Sequence, residues 1–279
     1  MNAPDRIIPI VAEPSLVVRA SSWGGLFDCA MRWEGEQMLG IRKAAGLRAH
    51  LGTSVHASTA AYDLGRLPGG QPISVDDAAS VFVDTLRNPG RDVDFGVDDL
   101  TLVEAERTGL ALHTAYCYDL APQFTFQSVE MTLSPLDIDC GGGTVVRLTG
   151  QMDRARVAET PAGPVIADVK TGTRVVVDGK ASTRGRSPQL GTYQLLYEET
   201  AQQPSAGAQI LALPTKGKAV ALASDVFDAR RVMVGVDGQP GLIDFAAQMF
   251  RAGLFPPNPS SNLCSQKYCA RWATCNFHE

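Results

Sequence analysis

No apolar stretch in the sequence approaches the length of a bilayer span, which excludes a membrane-crossing helix within it. The opening residues, MNAPDRIIPIVAEPS, lack the basic start and apolar core of a secretory leader, so a cytoplasmic protein is expected. A Gly-Lys-Ser/Thr phosphate loop is missing, and with it a nucleotide-driven motor. Internal repeats and low-complexity linkers are missing too. Positive charge is not in excess: 25 Lys and Arg face 30 Asp and Glu, a formal net charge of −5. Contact with a polyanion would therefore need a local basic surface. The six cysteines do not suggest a disulfide framework, because the expected compartment keeps thiols reduced.

What is present fits a globular α/β protein. The 279 residues are 44% hydrophobic, enough to bury a sizeable core. The first part, 1–122, reads as mainly helical. Ser21 or Ser22 is placed to cap a helix carrying Trp23, Leu26, Phe27, Ala30, Met31 and Trp33. Further helices are predicted over 53–64, from a Ser74–Asp77 capping box, and over about 98–119. The pattern then alternates, predicting strands over 124–133, 145–157 and 165–170, joined as a meander by Gly141-Gly142-Gly143 and Pro161-Ala162-Gly163-Pro164. Ser187-Pro188 opens a helix, 208–213 and 219–227 read as strands, and 241–252 as a last helix. One domain is expected, with a core over 123–255 and a tail over 256–279.

The chemistry concentrates in Gly150-Gln151-Met152-Asp153 and Asp168-Val169-Lys170-Thr171-Gly172. Residues i and i+2 of a strand share a face, so Asp168 and Lys170 point together. Asp153 sits on the neighbouring strand and is predicted to lie beside them. Paired carboxylates make a hard oxygen site suited to Mg²⁺ or Mn²⁺. Such an ion polarises a phosphate, and a nearby ammonium offsets charge building on its oxygens. The same triplet also fits an ordinary salt-bridged hairpin.

In order along the chain, these segments resemble the PD-(D/E)XK nuclease superfamily. The likeness is to its RecB-like branch, which includes CRISPR-associated iron–sulfur exonucleases and related phage enzymes. Gly52-Thr53-Ser54-Val55-His56 is similar to the family's N-terminal helix motif, whose histidine joins the metal site. Glu130 stands at the family's strand glutamate, Gly150-x-x-Asp153 at its first aspartate, and Asp168-x-Lys170 at its signature triplet. Gln189-x-x-x-Tyr193 matches the helix that follows. The resemblance implies a restriction-endonuclease-like mixed sheet flanked by helices. It implies His56, Asp153 and Asp168 as Mg²⁺ or Mn²⁺ ligands, and Glu130, Lys170, Gln189 and Tyr193 as further catalytic residues. The substrate it implies is DNA, as single strands or ends. The setting is recombination, repair or CRISPR adaptation, with partner proteins of those processes and an oligomer as an open option.

Two further constellations remain. Cys264, Cys269 and Cys275 crowd the tail, with Cys29 as a fourth thiol, and four thiolates suit an iron–sulfur cluster or a structural zinc. By the resemblance the group is [4Fe–4S], fastening the tail to the N-terminal helices. Arg174, Lys180, Arg184 and Arg186 face a single acid, Asp178, and form either DNA contacts or a solvated loop. Against the exonuclease reading stands a non-catalytic iron–sulfur module of the same fold that binds or scaffolds nucleic acid, and, more distantly, an RNA-directed nuclease.

Overall fold

A computed structural model describes residues 16–159 and 162–278. Pro161 of the predicted turn and the opening residues read for a leader lie outside the described residues. Among those described, no helix is long and apolar enough to cross a membrane.

The N-terminal half is helical, as expected, with corrections in detail. Strand β1 (Leu16–Arg19), which the sequence pattern did not reveal, leads into α1 (Trp23–Asp28) and α2 (Ala30–Gln37). The single helix predicted through Trp23 and Trp33 is thus broken, because Cys29 adopts an extended conformation (φ −148°, ψ 96°). Neither serine caps it by its side chain; Ser22 Oγ instead donates to the Arg19 carbonyl at 2.9 Å. Next, α3 (Leu47–Gly65) begins well before Thr53. Helix α4 (Val75–Arg87) starts at the expected Ser74–Asp77 capping box. Helix α5 (Leu102–Ala115) has a second box at Thr101–Glu104 and continues as a wider turn over Tyr116–Leu120.

The strands are β2 (Phe126–Thr132), β3 (Leu136–Asp139), β4 (Val145–Thr149), β5 (Gln151–Arg156) and β6 (Val165–Gly172). After them come α6 (Ser187–Ala201), β7 (Gly207–Pro214), β8 (Leu222–Ala223) and α7 (Leu242–Ala252). The predicted strand 145–157 is two, divided at Gly150. A Cβ there would meet Tyr193 Cε1 at 2.9 Å and Ala20 Cβ at 3.2 Å, so the chain bends where only glycine fits. The halves enter different sheets. A small sheet runs β1-β4-β3, and the main sheet runs β8-β7-β6-β5-β2. In the main sheet β5 is antiparallel to both β2 and β6, the pairing order of the predicted meander, while β7 joins β6 in parallel. Gly141-Gly142-Gly143 instead turns the unpredicted β3 into β4 of the small sheet. The segment predicted as a strand over 219–227 pairs only at β8 and at a Phe227–Ala208 bridge.

The main sheet separates two apolar layers. Ile166, Ala155 and Ile210 pack with α1, α6 and α7, whereas Ala167, Val169 and Leu211 pack with α3, α4 and α5. This alternation on β6 follows from the period of two in a strand, and leaves the C-terminal end of β6 between helices of both layers.

Candidate active site

Pairing between β5 and β6 runs from Arg156–Val165 to Arg154–Ala167 and stops there. Beyond that point the strands fork, and Asp153 and Asp168 flank the opening. The Asp153 carboxylate fills the lost rung: its Oδ2 accepts a hydrogen bond from the Val169 backbone N–H at 2.8 Å. Asp168 and Lys170 share a face as predicted, with Lys170 Nζ 2.7 Å from Asp168 Oδ2. The α6 residues arrive from the same side. Gln189 Nε2 donates to Tyr193 Oη at 3.0 Å and reaches toward Asp168 Oδ1 at 3.5 Å.

From the opposite layer α3 delivers His56. Its Nε2 lies 2.5 Å from Asp153 Oδ2 and its Nδ1 3.3 Å from Glu130 Oε1. Glu130 stands on β2 at a left-handed backbone angle (φ 52°), and Gln151 Nε2 donates to its carboxylate at 3.1 Å. His56, Glu130 and Asp153 each offer a ligand atom, and all three atoms lie within 4.8 Å of one another.

Electrostatics bind the group tightly. Burial disfavours a charged His56, but the Asp153 carboxylate and hydrogen bonds to Asp153 and Glu130 outweigh it and push its pKa up to about 10. Burial likewise works against an ionised Asp153, yet His56, Lys170 and Arg154 hold its carboxyl below the usual range. Asp168 goes the other way: burial and the Asp153 charge raise it in spite of Lys170. Its buried Oδ2 has the Lys170 ammonium at 2.7 Å and no further partner. A divalent cation suits such a set of hard donors, with one imidazole and a buried carboxylate oxygen that can accept more. The residues present fit the ion that the sequence motifs imply.

Arg154, the next residue of β5, leaves the Asp153 face but stays at the site. Fully buried, it donates to Asp63 Oδ2 at 2.7 Å and to Glu130 Oε1 at 3.1 Å, while Tyr116 Oη donates to the same Asp63 oxygen at 2.5 Å. Sequence reasoning missed Asp63 and Tyr116. A clue was available, because Asp63 follows His56 by two helical turns of α3 and so shares its face.

The basic residues are outside this centre. Arg174, Lys180 and Arg184 are exposed around a small hairpin, and Arg186 is half-buried at the start of α6. Cys29, Cys264, Cys269 and Cys275 line one shared cavity. Burial and the neighbouring Cys269, Cys275 and Cys29 thiols all raise the Cys264 thiol pKa. Around the cavity the tail is fastened to α1 and α2. Ser261 Oγ donates to Asp28 Oδ2 at 2.6 Å, Asn258 Nδ2 to the Asp28 carbonyl at 2.8 Å, and Arg271 to Glu34 Oε2 at 2.6 Å. These anchors explain the break at Cys29, which turns its side chain out of the helical run toward the tail. Cys117, buried beside His113, and Cys140 take no part in this cavity.

The model of the PD-(D/E)XK nuclease superfamily matches residues 20–276. No curated protein matches the sequence. Among solved structures, one from Eubacterium rectale, named as a candidate exonuclease, is 11% identical with a TM-score of 0.53. The match covers 92% of this chain and 90% of that one. Another, SSO0001, is 11% identical over 95% of this chain and 87% of that one, with a TM-score of 0.39. With its family model matched over nearly its whole length, the chain belongs to the PD-(D/E)XK nuclease superfamily.

Proposed function

We propose that the protein is a divalent-cation-dependent deoxyribonuclease that hydrolyses phosphodiester bonds at single strands or DNA ends. The observation that carries this reading is the convergence of His56, Glu130 and Asp153 with the Asp168–Lys170 pair at the strand fork. His56, Glu130, Asp153 and Asp168 would hold Mg²⁺ or Mn²⁺, which when bound supplies Lewis acidity toward the phosphate and an activated water. Lys170 stands beside Asp168, placed to orient the attacking water and to offset charge on the non-bridging oxygens. Gln189 and Tyr193 hold the outer side of Asp168 and fix its direction. Arg174, Lys180, Arg184 and Arg186 are candidate contacts to flanking phosphates. The candidate-exonuclease name of the Eubacterium rectale relative supports the exonuclease form, and recombination, repair or CRISPR adaptation is the setting we assign.

The cavity lined by Cys29, Cys264, Cys269 and Cys275 supports a thiolate-held group, which by the family resemblance we assign as [4Fe–4S] in preference to zinc. The cluster closes the nuclease domain by joining Cys29 to the tail.

Digestion of end-labelled single- and double-stranded DNA with Mn²⁺ and Mg²⁺ tests the nuclease reading. Wild-type cleavage should fall by at least about 10²–10³-fold in Asp168→Ala and Lys170→Ala. Wild-type protein that leaves both substrates intact would point instead to a nucleic-acid-binding module, and preferential digestion of RNA would reassign the substrate.

A further inference from the structure

A basic concavity of the described chain lies away from the acidic centre. It is a cleft of about 660 Å³ between α2, the 38–46 loop, the start of α3 and the cysteine-bearing tail. Six cations line it, Arg19, Arg32, Arg42, Lys43, Arg48 and Lys267, against two acids, Glu36 and Asp98. In a chain of formal charge −5 this is a strong local reversal. Arg19, Arg42, Lys43 and Arg48 are exposed along its sides. Arg32 is paired with Asp28 at 3.3 Å and Lys267 with Asp98 at 3.8 Å, so the exposed Arg19, Arg42, Lys43 and Arg48 carry the attraction for an anionic ligand.

The cleft also carries an aromatic platform and a route to the fork. Tyr268 is 40% exposed on the tail side, with Lys267 Nζ 5.1 Å from its ring centroid. Positive walls combined with an accessible ring suit unstacked bases better than a closed duplex. Arg48 belongs both to this cleft and to a smaller cavity bounded by Thr171, Thr173 and Thr215. Thr171 directly follows Lys170. Its hydroxyl sits so close to α3 that a Cβ on Gly52 would lie 2.6 Å from Thr171 Oγ1. Arg48, Gly52 and His56 recur at intervals of four and therefore share one face of α3. That face leads from the cleft to the metal-ligand set.

We infer that this cleft binds the phosphate backbone of a single strand, with a base stacked on Tyr268, and passes the strand along α3 to the Asp153–Asp168 fork. The inference rests on the nuclease reading for its destination, but not for the binding itself. The tail supplies Lys267 and Tyr268, so it forms a wall of the substrate path as well as a fastening.

Binding of a fluorescein-labelled oligothymidylate to the full chain, followed by anisotropy in chelator, tests this apart from cleavage. Arg42→Glu/Lys43→Glu should weaken binding about tenfold or more and flatten its salt dependence by about one unit per lost phosphate contact. Tyr268→Ala, an exposed change that leaves the core intact, should weaken single-strand binding about tenfold and leave blunt duplex binding unchanged. Mn²⁺ affinity, read from its paramagnetic resonance signal, should stay at the wild-type value in these variants and show that the fork is intact. Binding that survives both variants, or that is lost only in Lys180→Glu/Arg184→Glu, overturns the cleft and moves the strand to the other basic segment. Should wild type bind through the cleft but never cleave with Mn²⁺, the nuclease reading falls and the cleft stands.

Discussion

Asp153 Oδ2 takes up the Val169 backbone N–H at the point where β5 and β6 part. One carboxylate thus closes the end of a ladder and contributes to the acidic centre, and these two tasks separate by mutation. Asp153→Asn keeps an oxygen for Val169 but loses the charge. Asp153→Ala leaves a buried N–H without a partner, at a cost of about 1–3 kcal/mol. Both variants should lose cation-dependent cleavage, while thermal melting in chelator should show the alanine variant to be the less stable. Equal melting temperatures would remove Asp153 from the ladder role.

His56 makes apo-protein stability depend on pH. Its folded pKa is raised from 6.5 to about 10, so the protonated ring stabilises the fold fully below pH 6.5. That contribution declines as pH rises toward and through 10. Denaturant titrations in chelator should therefore show the gap between wild type and His56→Gln narrowing from pH 6.5 to 10. A gap that widens with pH would contradict the pairing with Asp153. Because a metal-bound imidazole must be neutral, Mn²⁺ uptake near neutral pH should release a proton in wild type. Calorimetry in buffers of different ionisation enthalpy measures it.

Asp63 and Arg154 are both fully buried and joined at 2.7 Å. Asp63→Ala strands the guanidinium in the core, and equilibrium unfolding should show a loss of about 3–5 kcal/mol. Adding Arg154→Met should restore much of it, since the uncompensated charge is then gone. Single and double variants of equal stability would show that the pair carries no such burden. Arg154 also holds Glu130, so the double variant should still bind Mn²⁺ about 10–100-fold more weakly than wild type.

Cys269→Ala tests the tail. The purified wild type should be brown with broad visible absorbance, and the variant should lose that colour. Limited proteolysis should then cut the variant after residue 256, where cluster loss weakens docking onto α1 and α2. A colourless wild type that carries zinc would reassign the metal. The anchors at Asp28 and Glu34 lie on α1 and α2, whereas His56 belongs to α3 and the other apolar layer. Cluster loss should accordingly open the Lys267–Tyr268 wall before it disturbs His56.

Local chemistry was legible in the sequence. The Ser74–Asp77 box depends on neighbours three apart, and the shared face of Asp168 and Lys170 needs only the strand period. What stayed hidden depended on distant residues. The bend at Gly150 is enforced by Tyr193 and Ala20, and the extended Cys29 by anchors from Asn258 and Ser261. Strand β1 finds its parallel partner at 146–149, too far along the chain for any local pattern to reveal. The pairing of Asp63 with Arg154 was hidden too, because burial is a property of the assembled sheet and helices. Of the site, the acids and the lysine could be read, but the arrangement that supports Glu130 could not.

Strand β6 is a party wall. Ile166 faces one apolar layer and Ala167 the other, both fully buried, immediately before Asp168. A designer who enlarges either residue shifts the same backbone from opposite sides, and the carboxylate travels with it. Paired substitutions that swell one room and shrink the other would thus tune the placement of Asp168 without touching any polar group.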